Sequence, residues 1–214
     1  SWDDGVRDSL GDDEYASEIP PVSEGSQLRY RIEADDMETG ITITRPSNEA
    51  DPAYYAYVGP LDEIYCDDFE ADNEGWSHEL LAGEWAEGAD DWMRGVPQGK
   101  GGDPDEAYSG THVWGNDLAL EENWDGKYQN EKINALTSPV WDLSEHEAVR
   151  LQFRRWLGIE DGMYDHGKVY VNDELVWENE PGSGDVHHQD REWILFDLDI
   201  TEQAAGVDEV QIRW

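Results

Sequence analysis

The sequence predicts an all-β protein, and three observations carry that expectation. Apolar residues recur with period two: Leu28, Tyr30, Ile32 and Ala34 alternate with Arg29, Arg31 and Glu33, and Val149, Leu151 and Phe153 alternate with Arg150, Gln152 and Arg154. Ile194, Phe196, Leu198 and Ile200 repeat the pattern. Clusters of Gly, Asp, Asn and Pro separate these runs at short intervals, as strand connections require. No stretch sustains a helical period; one helical turn is expected over residues 201–205, closed by Gly206.

In chain order, residues 1–15 form a Gly/Asp-rich acidic loop with turn signals at Asp4-Gly5 and Gly11-Asp12. Residues 28–34 and 41–44 are expected to pair as a hairpin through Gly40, with Tyr54 to Val58 as a further strand. Val58-Gly59-Pro60 reads as a linker too short for free movement, dividing the chain into residues 1–60 and 61–214. Beyond it, Asp68-Phe69-Glu70 is expected as a strand with both carboxylates on one face. Residues 107–114 are a strand, and residues 115–130 a polar loop anchored by Trp124 and Tyr128. Residues 136–143 read as an edge strand, because Pro139 cannot donate to a ladder. A bulge is expected where Arg154-Arg155 precedes Trp156. Residues 168–172 and 175–177 form a hairpin through Asn172-Asp173, and residues 210–214 are the final strand.

Composition narrows the function. Of 214 residues, 52 are Asp or Glu and 14 are Lys or Arg, a formal charge of −38, which repels nucleic acid and anionic membranes. Eleven Trp and ten Tyr supply the apolar faces that a disordered acidic chain lacks. Self-repulsion on this scale asks for cations, either as screening salt or as specific Ca²⁺, which takes carboxylate and carbonyl oxygens. Cys66 has no partner for an intramolecular disulfide and reads as a small buried thiol beside Phe69. No apolar run is long enough to span a membrane.

Two resemblances add to this reading. Asp3-Asp4-Gly5, Gly11-Asp12, Tyr15, Ile19-Pro20, Gly25 and the strand from Leu28 to Asp35 resemble the last part of an immunoglobulin-like β-sandwich of large secreted bacterial proteins. From Tyr65 onward the chain resembles the MAM-like jelly-roll domains that include accessory domains of immune-inhibitor-A-type metallopeptidases. The residues concerned are Asp68-Phe69-Glu70, Gly75-Trp76, Asp91-Trp92, Gly95, Ala107-Tyr108-Ser109-Gly110, Val113-Trp114-Gly115-Asn116-Asp117-Leu118, Tyr128, Leu136-Thr137-Ser138-Pro139, Asp142-Leu143-Ser144 and Tyr164-Asp165 with Gly167, Val169 and Val171. The resemblance implies a partial immunoglobulin-like β segment over residues 1–60 and a jelly-roll β-sandwich over 61–214. The family carries one more strand than this chain, so an open edge is expected that another segment fills by β-augmentation. It implies a secreted or cell-surface location, and a parent protein whose catalytic centre, if it has one, lies outside this chain.

The candidate metal ligands are Asp68, Glu70, Asp90, Asp91 and Asp165, expected to hold a structural Ca²⁺. The resemblance supports a cation where Asp165 meets the opening strand. The alternative is that these carboxylates only cap backbone N–H groups. A second acidic loop, Asp3-Asp4-Gly5 to Asp12-Asp13, has enough oxygens for an ion but not the spacing of a helix–loop–helix calcium site. His78-Glu79 lacks the second histidine of a zinc-protease helix, because position 82 is Ala82. His187-His188 reads as part of a solvated loop. No nucleophile elbow or phosphate loop is present, and abundant carboxylates single out no glycosidase pair.

These features point to a non-catalytic, Ca²⁺-stabilised accessory or adhesion module. Its partners are other domains of the parent protein or neighbouring subunits, with no nucleic acid and no membrane insertion. A carbohydrate-binding module is the first alternative, with Trp85, Trp92, Trp114 and Trp124 as candidate rings for stacking on glycan. A structural subunit of a surface fibre or layer, assembled by strand complementation, is the second.

Overall fold

The computed structural model describes residues 7–11, 14–71, 75–85, 89–120 and 125–214. Its strands are β1 (Arg7–Gly11), β2 (Glu14–Ser17), β3 (Ser26–Tyr30), β4 (Ile32–Asp36), β5 (Ile41–Arg45), β6 (Tyr54–Val58), β7 (Ser77–Ala82), β8 (Trp92–Gly95) and β9 (Val113–Asn116). They continue with β10 (Ile133–Thr137), β11 (Arg150–Arg155), β12 (Gly158–Ile159), β13 (Lys168–Val171), β14 (Glu174–Glu178), β15 (His188–Gln189), β16 (Ile194–Asp199) and β17 (Ile212–Arg213). One helical turn, α1 (Thr201–Ala204), precedes Gly206, whose φ of 76° ends it in the left-handed region. The protein is all-β, as expected.

The main sheet has five strands in the order β14-β13-β17-β10-β7. The segment carrying β17 lies at its centre, antiparallel to both neighbours. Leu136 N–H donates to Trp214 O at 3.0 Å and Trp214 N–H returns to Leu136 O at 2.8 Å. On the other side Asn172 N–H reaches Gln211 O at 2.7 Å. The last strand is therefore paired along both sides, and the edges of this sheet are β14 and β7.

Residues 136–143 also depart from the expected edge strand. β10 is interior, and Pro139 falls just past its end, where no ladder donor is needed. Ser138, fully buried, completes the join: its N–H donates to Ile212 O at 2.9 Å and its hydroxyl accepts from Ile212 N–H at 2.9 Å. A short polar side chain thus replaces a missing backbone partner.

The opposite layer is the antiparallel pair β11/β16, in register from Arg150↔Asp199 to Arg155↔Ile194 without a break. The bulge expected at Arg154-Arg155 does not form. The alternation simply runs on, so Arg155 takes the inward position after Leu151 and Phe153. Between the layers lie Val169, Val171, Val210, Ile212, Val149, Ile200 and Leu143, with Phe153 edge-on to Trp214 (5.6 Å) and Trp177 edge-on to Phe196 (5.1 Å).

Residues 26–58 pack onto this layer. β3 pairs with β6 from Ser26↔Val58 to Tyr30↔Tyr54, and β6 lies along β16. Residues 28–34 do not form one strand: the chain breaks at Arg31, and β4 pairs instead with β5, from Ile32↔Arg45 to Asp36↔Ile41. The hairpin partnership of residues 41–44 is as expected. Its apolar residues are not in a core, because Ile32, Ile41 and Ile43 are all more than half exposed.

Two consequences can be measured by urea unfolding with an unchanged slope. Ile212→Ala should cost roughly 2–5 kcal/mol, as a fully buried branched side chain in the central strand. Ser138→Ala should cost about 1–3 kcal/mol, by leaving the buried Ile212 N–H without an acceptor.

Candidate functional sites

Asp68-Phe69-Glu70 is a loop, not a strand, and Phe69 has φ 61°. The expected shared face of Asp68 and Glu70 is lost with it. Asp68 turns back to accept Glu70 N–H at 3.1 Å. Glu70 crosses to the loop before β9, where it accepts Thr111 N–H (2.6 Å), the Thr111 hydroxyl (2.8 Å) and His112 N–H (2.7 Å). The two backbone N–H groups pull its carboxyl down to about 2. Gly110 is needed at this crossing, since a Cβ there would stand 2.5 Å from Glu70 Oε1. Arg94 on β8 holds the same loop by donating to Phe69 O (2.6 Å) and Glu70 O (3.0 Å).

The other expected ligands are similarly engaged. Asp91 is buried and accepts the side-chain amides of Asn116 (2.9 Å) and Asn134 (2.7 Å) and Gln129 N–H (3.3 Å), which ties β9 to β10. Burial outweighs those donors and raises its carboxyl. Asp90 meets His78 Nδ1 at 2.9 Å, and Asp165 accepts the Tyr128 hydroxyl at 2.6 Å. Each of the five therefore has at least one partner, although Asp90 Oδ1 is buried without one. Among the described residues, no three of His, Cys, Asp and Glu converge as a metal-binding group. The acidic loop at Asp3-Asp4-Gly5 and Asp12-Asp13 lies outside the described residues. Cys66 is exposed, contrary to the buried thiol expected.

Of the four tryptophans proposed for stacking on glycan, three are described. Trp85 is 82% exposed, Trp92 and Trp114 are half-buried, and Trp124 lies outside the described residues. Trp114 stacks toward Trp76 and His78, with centroids at 6.4 and 5.5 Å.

An acidic pair missed by sequence reasoning does come together. Asp103 is half-buried in the loop before β9, and Asp117 is buried just after that strand. Asp117 accepts Ala119 N–H (3.1 Å) and Lys127 N–H (3.3 Å). Among the described residues no donor reaches the Asp103 carboxylate. Burial, then the negative charge of Asp117, pushes it up to about 7. Beside them Gly101 and Gly126, both at positive φ, press backbone on backbone: a Cβ on Gly101 would strike Gly126 O, and one on Gly126 would stand 2.5 Å from Lys100 O. Two carboxylates beside crowded carbonyls are a donor set that suits a hard cation such as Ca²⁺. The run Gly99-Lys100-Gly101-Gly102-Asp103 was the available sequence signal, and it reads equally well as an ordinary turn.

A second polar cluster joins the first sixty residues to the sandwich. Arg155, 7% exposed, donates through Nε to Asp190 (3.0 Å) and through Nη2 to Asp51 (3.0 Å). Asn48 Nδ2 donates to Asp190 Oδ1 at 2.7 Å, and Leu157 N–H to Asp190 Oδ2 at 2.7 Å. The guanidinium lies 4.7 Å from the Phe196 ring centroid. The adjacent histidines are not in a solvated loop. His187 Nδ1 accepts Asp161 N–H at 3.0 Å, and His188 is 4% exposed on β15. Burial, then the charge of Arg155, lowers the His188 imidazole, so it is neutral at pH 7. Asp161 fixes the neighbouring loop by accepting N–H groups from Met163, Gly182, Gly184 and Val186, and these hold its carboxyl low.

Two outcomes are expected. Arg155→Ala should cost about 3–5 kcal/mol in chemical unfolding, because it strands Asp190 and Asp51 without their cation. For Asp103, the folded carboxyl holds its proton to about pH 7 and the unfolded one releases it near pH 3.8, so the native state binds more protons in between. In chelator, stability should fall as pH rises from about 4 to about 7, and Asp103→Asn should flatten that slope in melting scans.

Comparison with family models, curated proteins and solved structures gives no match for this chain.

Proposed function

We propose that this chain is a non-catalytic, cation-stabilised accessory or adhesion module of a larger secreted or surface protein. A MAM-like jelly-roll connectivity over residues 61–214, with an immunoglobulin-like segment before it, is the arrangement we favour. The observation that carries the reading is the Asp103–Asp117 pair, held together beside the Gly101–Gly126 contact without a compensating cation among the described residues.

The physical argument is one of charge balance. Holding an uncompensated carboxylate beside another in a half-buried site raises the energy of the ionised state. A divalent ion there converts that repulsion into attraction. It does so most effectively in a chain of net charge −38, whose surface already concentrates cations. Asp103, Asp117 and nearby backbone carbonyls would supply protein oxygens, and water the remaining positions. The expected affinity is that of extracellular modules, roughly 10⁻⁴ to 10⁻³ M. The ion's role is to fix the loop before β9 against the loop after it. A metallopeptidase parent remains part of this proposal, with its catalytic zinc on another domain.

The fibre-subunit alternative needs an open edge for a complementing strand; β17, paired on both sides, does not offer one, and among the described residues the edges of the main sheet are β14 and β7. The glycan alternative is taken up below at a different cleft.

Thermal unfolding in chelator, with Ca²⁺ or Mg²⁺ added back at constant ionic strength, tests the proposal. Calcium at about a hundredfold excess over Kd should stabilise the protein by roughly 2.7 kcal/mol. Asp103→Asn should raise the midpoint in chelator and abolish the calcium increment. An equal midpoint with Ca²⁺ and with sodium at matched ionic strength would leave only charge screening and overturn the specific-ion reading.

A further inference from the structure

We propose that the cleft between β3/β6, the end of β14 and β16 is a binding subsite for one neutral pyranose ring of a glycan. The cleft encloses about 340 Å³, at the small end of ligand sites, which span roughly 300–1,000 Å³. It is independent of the Asp103–Asp117 pair, and neither proposal rests on the other.

Two side chains lining the cleft carry buried polar atoms without partners. His188 is 4% exposed and its Nδ1 has no hydrogen-bond partner. Asp197 is 6% exposed; Oδ1 accepts Arg150 Nε at 2.8 Å, while Oδ2 is buried and unmet. Buried polar atoms left unpaired are costly and therefore rare in folded proteins. A neutral imidazole can donate or accept at Nδ1, whereas a carboxylate oxygen only accepts. The complementary ligand must offer groups that both donate and accept at close spacing. Hydroxyls do this.

The remaining wall is aromatic. Tyr55 and Trp177 are half-buried, and Phe196 stands edge-on to Trp177 at 5.1 Å. Flat apolar rings beside paired acceptors and donors suit the C–H face and hydroxyl rim of a sugar.

Charge selects against the competitors. Three of the four lining carboxylates already have cations: Asp51 has Arg155 at 3.0 Å, Asp197 has Arg150 at 2.8 Å, and Glu178 has Lys168 at 3.4 Å, while the fourth, Glu180, is exposed to solvent. A cationic ligand would find most of these charges spent. An anionic ligand meets a protein of net charge −38. A neutral polyhydroxyl ligand avoids both penalties.

Sequence reading could not locate this site. Trp177 sits in a hairpin strand and looks like core, and Tyr55 comes from the other segment. Their approach depends on the Arg155–Asp51 pair that seats residues 48–58 on the sandwich.

The test is saturation-transfer NMR on the full chain with D-glucose, D-galactose, D-mannose and N-acetyl-D-glucosamine, each alone, with choline and glucuronate as charged controls. Transfer to the ring C–H protons of at least one neutral sugar is expected, with Kd on the order of 1 mM for a single ring. His188→Ala should weaken that binding about tenfold by removing one hydrogen bond. Because His188 is buried, Ala50→Trp provides a second variant, filling the cleft from its half-exposed lining without removing a buried group. It should abolish transfer at an unchanged melting midpoint. No transfer to any neutral sugar, meaning a cleft filled by water alone, overturns the proposal. So does preferential saturation of choline or glucuronate, or undiminished sugar binding by the folded Ala50→Trp protein.

Discussion

Electrostatic self-repulsion is the constraint to which the rest of this structure answers. With 52 acidic residues against 14 basic ones, ion pairing cannot neutralise the chain. The fold instead recruits carboxylates as acceptors for its irregular backbone. Glu70 gathers the N–H groups of the loop before β9, Asp161 those of the loop after β14, and Asp91 the amides that tie β9 to β10. Each such carboxylate replaces water with oriented N–H dipoles, so its charge is stabilised while a loop is fixed. Long connections between short strands become rigid by this means, without disulfides and with few cations. Asp103, half-buried with no donor among the described residues, departs from this pattern, and the ion proposed above would complete it.

The few cations present are placed where they count most. Arg155 occupies an inward position among aromatic rings and holds Asp190 and Asp51 from opposite parts of the chain. Arg150, at the other end of β11 and on its other face, lies over the Tyr57 ring at 4.5 Å and pairs with Asp197. Residues 26–58 are thereby seated on β16 by buried charge as well as by rings. The sequence suggests a division of the chain at residue 60, and β6 packs along β16 across it. The same seam shapes the cleft: Asp51 and Asp197, which take part in these ion pairs, also line the site proposed for a sugar.

Local patterns made the all-β class, the 41–44 and 172–173 hairpins and the single helical turn legible. The strand period, the turn residues and Gly206 act over a few positions and need no tertiary knowledge. What escaped was long-range. Arg155 looked like a break in the alternation because its partners lie 35 and 104 residues away. Pro139 suggested an edge, because nothing local shows that Ile212 will take its hydrogen bonds from Ser138 instead. Phe69 hid a left-handed backbone within an apolar-acidic alternation that looks like a strand. The acidic candidates do not converge among the described residues, for a related reason. In so acidic a chain, composition says that carboxylates will do many jobs and does not say which of them will be left without a donor.

The central position of β17 has a consequence for biogenesis. Before residues 210–214 are made, β10 can pair with β7 and β13 with β14, but nothing bridges the two halves of the sheet. A nascent chain would therefore carry two small, incomplete sheets whose inner edges are open to other molecules. Closure waits for β17, which follows all its sheet partners in sequence and joins segments far apart along the chain, a slow kind of step. During that interval a net charge of −38 would make neighbouring unfinished chains repel one another.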